Sequence, residues 1–178
     1  MPAVSPDDLA ALPLGVVLHE SGDDTASVLL AAFAAELRAA GVDAGGLVQR
    51  DGVDALGRSR MELVDVRTGE VFPISLDLGP GADGCSLDAA GLAEASRVLR
   101  RETAAGVALL VVNKFSTREC EGEGLAAEMF AAVTQGIPVL TSLSRRHRAG
   151  WEAASGGAGR MLPPDLTALR AWWADVAA

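Results

Sequence analysis

Tyrosine is absent from this chain of 178 residues, and lysine occurs once, at Lys114; the other fourteen of its 15 basic residues are arginines. Cysteine occurs twice, at Cys85 and Cys120, with no C-x-x-C pair, which excludes a disulfide framework or zinc knuckle and leaves free thiols as the expectation. The shortage of cations reaches further. A net charge of -9 and a pI near 4.6 leave no clustered positive charge to displace counterions, so nucleic acid and anionic membrane surfaces are excluded as partners. No apolar run approaches the roughly 20 residues that span a bilayer, which speaks against membrane insertion. The opening MPAVSPDDLAAL has neither the basic start nor the unbroken apolar stretch of a signal peptide. The expectation is a soluble, cytoplasmic protein.

What is present is a hydrophobic content of 49%, enough over this length for one sizeable core and hence one domain, residues 1–178. LGVVL (14–18) is a short apolar run of the buried-strand kind. The polar stretch 19–24 follows, then a helical pattern with Val28, Leu29, Ala32, Phe33 and Leu37 three or four apart, which Asp23 or Asp24 caps and Gly41 ends. A second strand at 45–48 completes a βαβ unit with a parallel pair. Residues 60–66 and 71–76, joined by the turn Arg67-Thr68-Gly69-Glu70, predict an inserted β-hairpin whose Pro73 marks a sheet edge. A glycine-dense loop, 77–86, precedes a helix at 88–101, a strand at 107–112, a helix at 124–135, a strand at 138–143 and helices near 147–155 and 164–176. The predicted architecture is α/β: three layers, a mostly parallel sheet and the hairpin.

Ligands of such sheets bind beyond the carboxyl ends of the parallel strands. Three segments converge there: 19–25, 113–124 and 142–148. The first reads HESGDDTAS. A nucleotide site carries G-x-x-x-x-G-K-[S/T] at this place, with backbone N–H groups around the phosphates and the lysine neutralising them. His19, Ser21, Gly22 and Thr25 keep the helix start and hydroxyls, but the lysine is missing and Glu20, Asp23 and Asp24 stand nearby. An ordinary capped turn fits the same residues.

The second segment, NKFSTRECEGEG, admits several readings. A guanine-reading Asn-Lys-x-Asp fails because Ser116 stands where the base-reading carboxylate belongs. A P-loop ATPase carries a magnesium-binding Asp and a catalytic Glu at this strand end, where Asn113 and Lys114 stand instead. The bland alternative is a solvated loop, with Glu119, Glu121 and Glu123 complementing the next helix dipole. In the third segment, Arg145-Arg146-His147-Arg148 is either a solvated helix face or, with Lys114 and the glycine-rich turns, part of an anion pocket. No G-x-S-x-G occurs, which excludes a nucleophile elbow. Nothing in the spacing of Cys85, Cys120, His19 and His147 favours a metal site. Trp151, Trp172 and Trp173 lie in helical stretches and belong to the core or to an interface.

The blocks GGLVQR, MELVDVRTGEVFPIS, LGPGADGCSLD, LLVVNKFSTRECEGEG and GIPVLTSL, in this order, resemble a bacterial domain-of-unknown-function family often encoded with molybdenum ABC transporters. The match covers nearly the whole chain. More distantly the order is similar to the small P-loop nucleoside-triphosphatases. That resemblance implies a P-loop-NTPase-like fold in which Asn113 and Lys114 replace an acidic pair, Ser116 replaces a glycine and Glu119 keeps a later glutamate. The sequence reading is therefore a small-anion or nucleotide-binding protein with degenerate Walker motifs, linked through the family to molybdate handling. Its expected ligand site is His19, Ser21, Gly22, Thr25, Asn113, Lys114, Ser116, Glu119, Arg145 and Arg146, with no resident metal. The expected ligand is a nucleotide with magnesium or an oxyanion such as molybdate. Two alternatives stay open: a residual nucleoside-triphosphatase, and a non-catalytic subunit that uses its tryptophans on a protein partner or a second copy of itself.

Overall fold

In the computed structural model, which describes residues 9, 11–20, 25–76 and 86–178, a seven-stranded sheet runs in the order β4-β3-β2-β7-β8-β1-β9. The strands are β1 (Leu14–His19), β2 (Ala44–Val53), β3 (Ser59–Asp65), β4 (Val71–Pro73), β7 (Leu109–Phe115), β8 (Val139–Ser144) and β9 (Arg160–Leu162). A two-stranded sheet pairs β5 (Ser75–Leu76) with β6 (Ser86–Leu87). Neighbours from β2 to β9 are parallel, and only the β2-β3-β4 edge is antiparallel. Among the described residues the helices are α1 (Thr25–Ala39), α2 (Ala89–Ala105), α3 (Thr117–Cys120), α4 (Ala126–Thr134), α5 (Arg148–Ser155) and α6 (Leu166–Val176). No described helix is long and apolar enough to cross a membrane.

Because strand side chains alternate, the sheet buries two separate cores. Val17, Val111 and Leu140 face α1 and α6, meeting Leu30, Phe33, Leu37, Leu169 and Trp172. Leu110, Val112 and Leu143 face the other way, against Val98 and Leu99 of α2, Met129 of α4 and Trp151 of α5. This is the three-layer, mostly parallel α/β architecture expected, with the hairpin β3-β4 in place and Pro73 on the edge strand β4. At the centre, β2 and β7 are pressed together. Gly46, at φ +118°, pairs with Val111, and a methyl group there would stand 2.0 Å from the Val111 carbonyl oxygen.

Several local expectations shift. The buried stripe of α1 is Leu30, Phe33, Ala34 and Leu37, whereas Val28 is 69% exposed and Ala32 faces solvent. In an alanine-rich helix more than one stripe satisfies a three-or-four spacing, and the sheet selects among them. Strand β2 continues past the expected Val48 to Val53 and forms a second hairpin with β3. Its turn is held by Asp54, whose carboxylate accepts from the backbone N–H groups of Leu56 (2.8 Å) and Arg58 (3.0 Å). The stretch 71–76 is two strands rather than one, since Ile74 N–H donates to Met61 O while Ser75 and Leu76 turn to pair with β6. The polar run after β7 contains the short helix α3, and β9 escapes sequence reading because it pairs through only three residues.

Candidate functional site

The three central strands end at one level: His19 lies beside Ser144, and Leu143 beside Phe115. Up to that level the face toward α1 is apolar, and at the crest it turns polar. Val17 gives way to His19, Leu140 to Ser142 and Ser144, and Val111 to Asn113, all of them buried. Polar groups so removed from water need partners. His19 Nδ1 lies 2.8 Å from the Glu20 carbonyl oxygen. Asn113, 2% exposed, donates from Nδ2 to Ser27 Oγ at 3.0 Å, and its Oδ1 has no hydrogen-bond partner. Ser27 sits in the first turn of α1, directly over the strand end.

Ser27 is the residue that sequence reasoning missed. Thr25, two positions earlier and exposed, was the hydroxyl expected to serve. Only the register between α1 and β7 distinguishes the two. Ser21 and Gly22, along with the 79–84 loop and Cys85, lie outside the described residues.

Past Asn113 the strand bulges between Val112 and Phe115, and Lys114 takes φ +73°, the one positive φ among described residues other than glycine. A lysine in this region costs on the order of 1–2 kcal/mol relative to ordinary backbone. Lys114 is half-buried and enters no ion pair among the described residues. It lines a cleft of about 100 Å³ with Gln49, Asn113, Ser116 and Arg118, against an apolar wall that includes Met61 and Leu87. Glu119 borders the same cleft, but its carboxylate is fully engaged. Oε2 accepts from Ser116 N–H (3.0 Å) and Ser116 Oγ (2.9 Å), closing a capping box on α3, and Oε1 accepts from Leu125 N–H at 3.1 Å. Ser116 and Glu119 therefore shape the loop that presents Lys114.

The basic run follows β8 as a 3₁₀ turn, Arg145–His147. Arg145 pairs with Glu20 at 2.6 Å and Arg148 with Glu152 at 3.1 Å, so neither charge is free. Arg146 Nε donates to His147 Nε2 at 3.0 Å, which requires that nitrogen to be unprotonated. Burial lowers the His147 pKa, and the charges of Arg146 and Lys114 lower it further, against an opposing pull from Glu119. Lys114 and Arg146 thus act on one imidazole from two different strand ends. Arg145 belongs instead to the Glu20 pair.

No group of three or more His, Cys, Asp or Glu positioned for a metal occurs among the described residues. Two of the three tryptophans, Trp151 and Trp172, are core. Trp151 is fully buried, edge-on to Phe115 at 4.9 Å between ring centres, and Trp172 is 1% exposed. Trp151 and Trp172 are thus spent on closing the two cores, whereas Trp173 is half-buried against the second of them.

Against known proteins, residues 14–172 match the family described as a protein of unknown function, DUF2478. The chain is 40% identical over 173 residues to the molybdenum import ATP-binding protein ModC 2 of Bradyrhizobium diazoefficiens, a match covering 97% of this chain and 19% of that protein. The chain thus spans about a fifth of the length of that curated relative. Among solved structures it is similar to the solution structure of a human cancer-related nucleoside triphosphatase, with a TM-score of 0.64 and 15% identity, over 90% of this chain and 93% of the other. At that identity the likeness fixes the fold, which is that of a small P-loop nucleoside triphosphatase.

Proposed function

The chain belongs to the DUF2478 family, and we propose that it binds a nucleotide or a small oxyanion at the crest of its sheet without turning it over efficiently. The observation that carries this reading is the Asn113–Ser27 hydrogen bond. In P-loop triphosphatases a helix-start Ser or Thr and a strand-end Asp together hold magnesium, and a neighbouring residue orients the attacking water. Ser27 and Asn113 stand in the first two places and touch. The amide keeps the polar connection but gives up the charge, and Lys114 puts an ammonium where a carboxylate would orient water. An ammonium cannot accept a proton from that water, so binding outlasts hydrolysis.

Magnesium fits the described residues poorly. It favours near-octahedral oxygen ligands that include one or two carboxylates, and the crest offers one serine hydroxyl and one neutral amide, while Glu119 and Glu20 are already engaged. The ModC 2 relative supports molybdate as one oxyanion to test, and nucleotides as the other class.

A thermal-shift screen of the full chain at low salt tests the reading, with ATP, GTP, molybdate, tungstate, sulfate and phosphate, each with magnesium. A saturable rise in melting temperature with at least one of them is expected, with no phosphate release above the buffer rate. Silence across the panel removes the reading. Phosphate release that disappears in Lys114→Ala establishes the residual triphosphatase instead. A second reading, docking onto a partner chain, is favoured by the relative in which the matching segment is 19% of a longer polypeptide. Co-purification with a transporter ATP-binding chain, without any small-ligand effect, supports it.

A further inference from the structure

Among the described residues, the crest carries Lys114 where a magnesium–nucleotide site carries a carboxylate, and that exchange bears on the ionic form of the ligand. Of the acidic side chains described there, Glu20 is paired with Arg145, Glu123 with Arg118, and Glu119 is held by three donors, while Glu121 is exposed to solvent. Lys114 and Arg146 face no carboxylate partner among the described residues. Asn113 is neutral, and either end of its amide can serve. As placed, Nδ2 donates to Ser27 and Oδ1 is unpaired. Turned over, Ser27 donates to Oδ1 and Nδ2 becomes the unpaired end, a donor. A carboxylate has no such second option, since it only accepts.

We infer that the site takes its ligand as a metal-free tetrahedral oxyanion, with Lys114, which lines the cleft, supplying the positive charge that a divalent cation supplies elsewhere. The inference rests on the binding reading above and concerns the same crest. The size of the cleft agrees. At about 100 Å³ it holds roughly the volume of three waters at about 30 Å³ each, which suits a free ion or the end of a phosphate chain. A nucleoside must lie outside it. The His147 pKa is lowered mainly by burial and, beyond that, by the charges of Arg146 and Lys114. Asp23 and Asp24 lie outside the described residues, and their effect is read by the magnesium titration itself.

The test is calorimetric titration of the full chain at fixed ionic strength with inorganic phosphate, pyrophosphate, molybdate and ATP, once in EDTA and once in excess magnesium. Affinity in EDTA at least equal to that in magnesium is the expected result, and the phosphate and molybdate arms separate a free ion from a nucleotide. Binding that appears only with magnesium overturns the inference and leaves the binding reading standing. Absence of binding in both conditions overturns both. Lys114→Glu is expected to lose roughly tenfold or more in affinity in EDTA and to regain part of it with magnesium. Unchanged affinity in that variant, with an unliganded melt confirming that it folds, overturns the role of Lys114. Should the variant not fold, the two wild-type arms still decide.

Discussion

Asn113 donates to Ser27 Oγ at 3.0 Å, a single hydrogen bond that ties the end of β7 to the first turn of α1 across 86 positions of sequence. It is the point where the central strand and the helix above it are fixed in register, with Asn113 buried and Ser27 half-buried.

Ser27→Ala removes that acceptor and strands the Asn113 amide with both ends unpaired. Leaving a buried polar group unsatisfied costs roughly 1–3 kcal/mol, to be read as a lower urea midpoint with an unchanged slope. Ser27→Thr keeps the hydroxyl and retains most of the stability. An alanine variant as stable as the parent means that the bond is not formed in solution, and the site loses its anchor.

The loop that carries Lys114 is shaped by Glu119 and Gly124. A methyl group at Gly124, where φ is +64°, would stand 2.1 Å from Glu119 Oε1 and displace it from Leu125 N–H. Gly124→Ala and Glu119→Ala are each expected to destabilise by about 1–3 kcal/mol. Together they cost less than their sum, with a coupling of at least about 0.5 kcal/mol, because both break the same contact. Strict additivity in a denaturation cycle refutes the shared contact.

Asp65 gives the fold an acid limit. Burial, the largest influence on it, pushes its carboxyl up, but hydrogen bonds from Arg101, from the Thr68 side chain and from the Arg67 and Thr68 backbone together hold it below the usual range. A folded pKa below the unfolded value of about 3.9 gives stability that is complete above that pH and drains away as pH falls through the folded value. Asp65→Asn is therefore less stable than the parent at neutral pH, and the gap between them narrows below about pH 4. Denaturation midpoints followed from pH 7 downward check this. A gap that stays constant assigns the whole effect to lost packing.

How much of this was legible depended on whether the signal was local. The strands, the hairpin turn around Arg67 to Glu70 and the edge position of Pro73 follow from periodicity and backbone chemistry, and the structure has them. Asn113 and Lys114 stood out because two polar residues end an apolar run. Ser27 did not, since its partner is remote and Thr25 presents the same hydroxyl nearby. Glu119 reads as a ligand-facing acid in sequence because nothing local announces that Leu125 N–H will fold back onto it. The tryptophans read as core or interface, and only three-dimensional packing separates those: Phe115 closes over Trp151, and β1 and α1 close over Trp172.

Lys114→Gly separates function from stability by sign. Glycine adopts φ +73° without the side-chain clash that costs lysine about 1–2 kcal/mol, at an entropic cost of roughly 0.5–1 kcal/mol in the unfolded chain. The variant is thus expected to be as stable as the parent or more stable by up to about 1.5 kcal/mol, while oxyanion binding is lost. The His147 pKa rises toward its ordinary value once the Lys114 charge is gone, which an NMR titration of the imidazole reads. Lys114→Val, β-branched and ill-suited to this φ, destabilises instead and keeps the two effects distinguishable. A strained position that tolerates glycine for folding yet needs lysine for binding holds its lysine for the charge. If the glycine variant proves clearly less stable, Lys114 is serving the fold, and its assignment to the ligand fails.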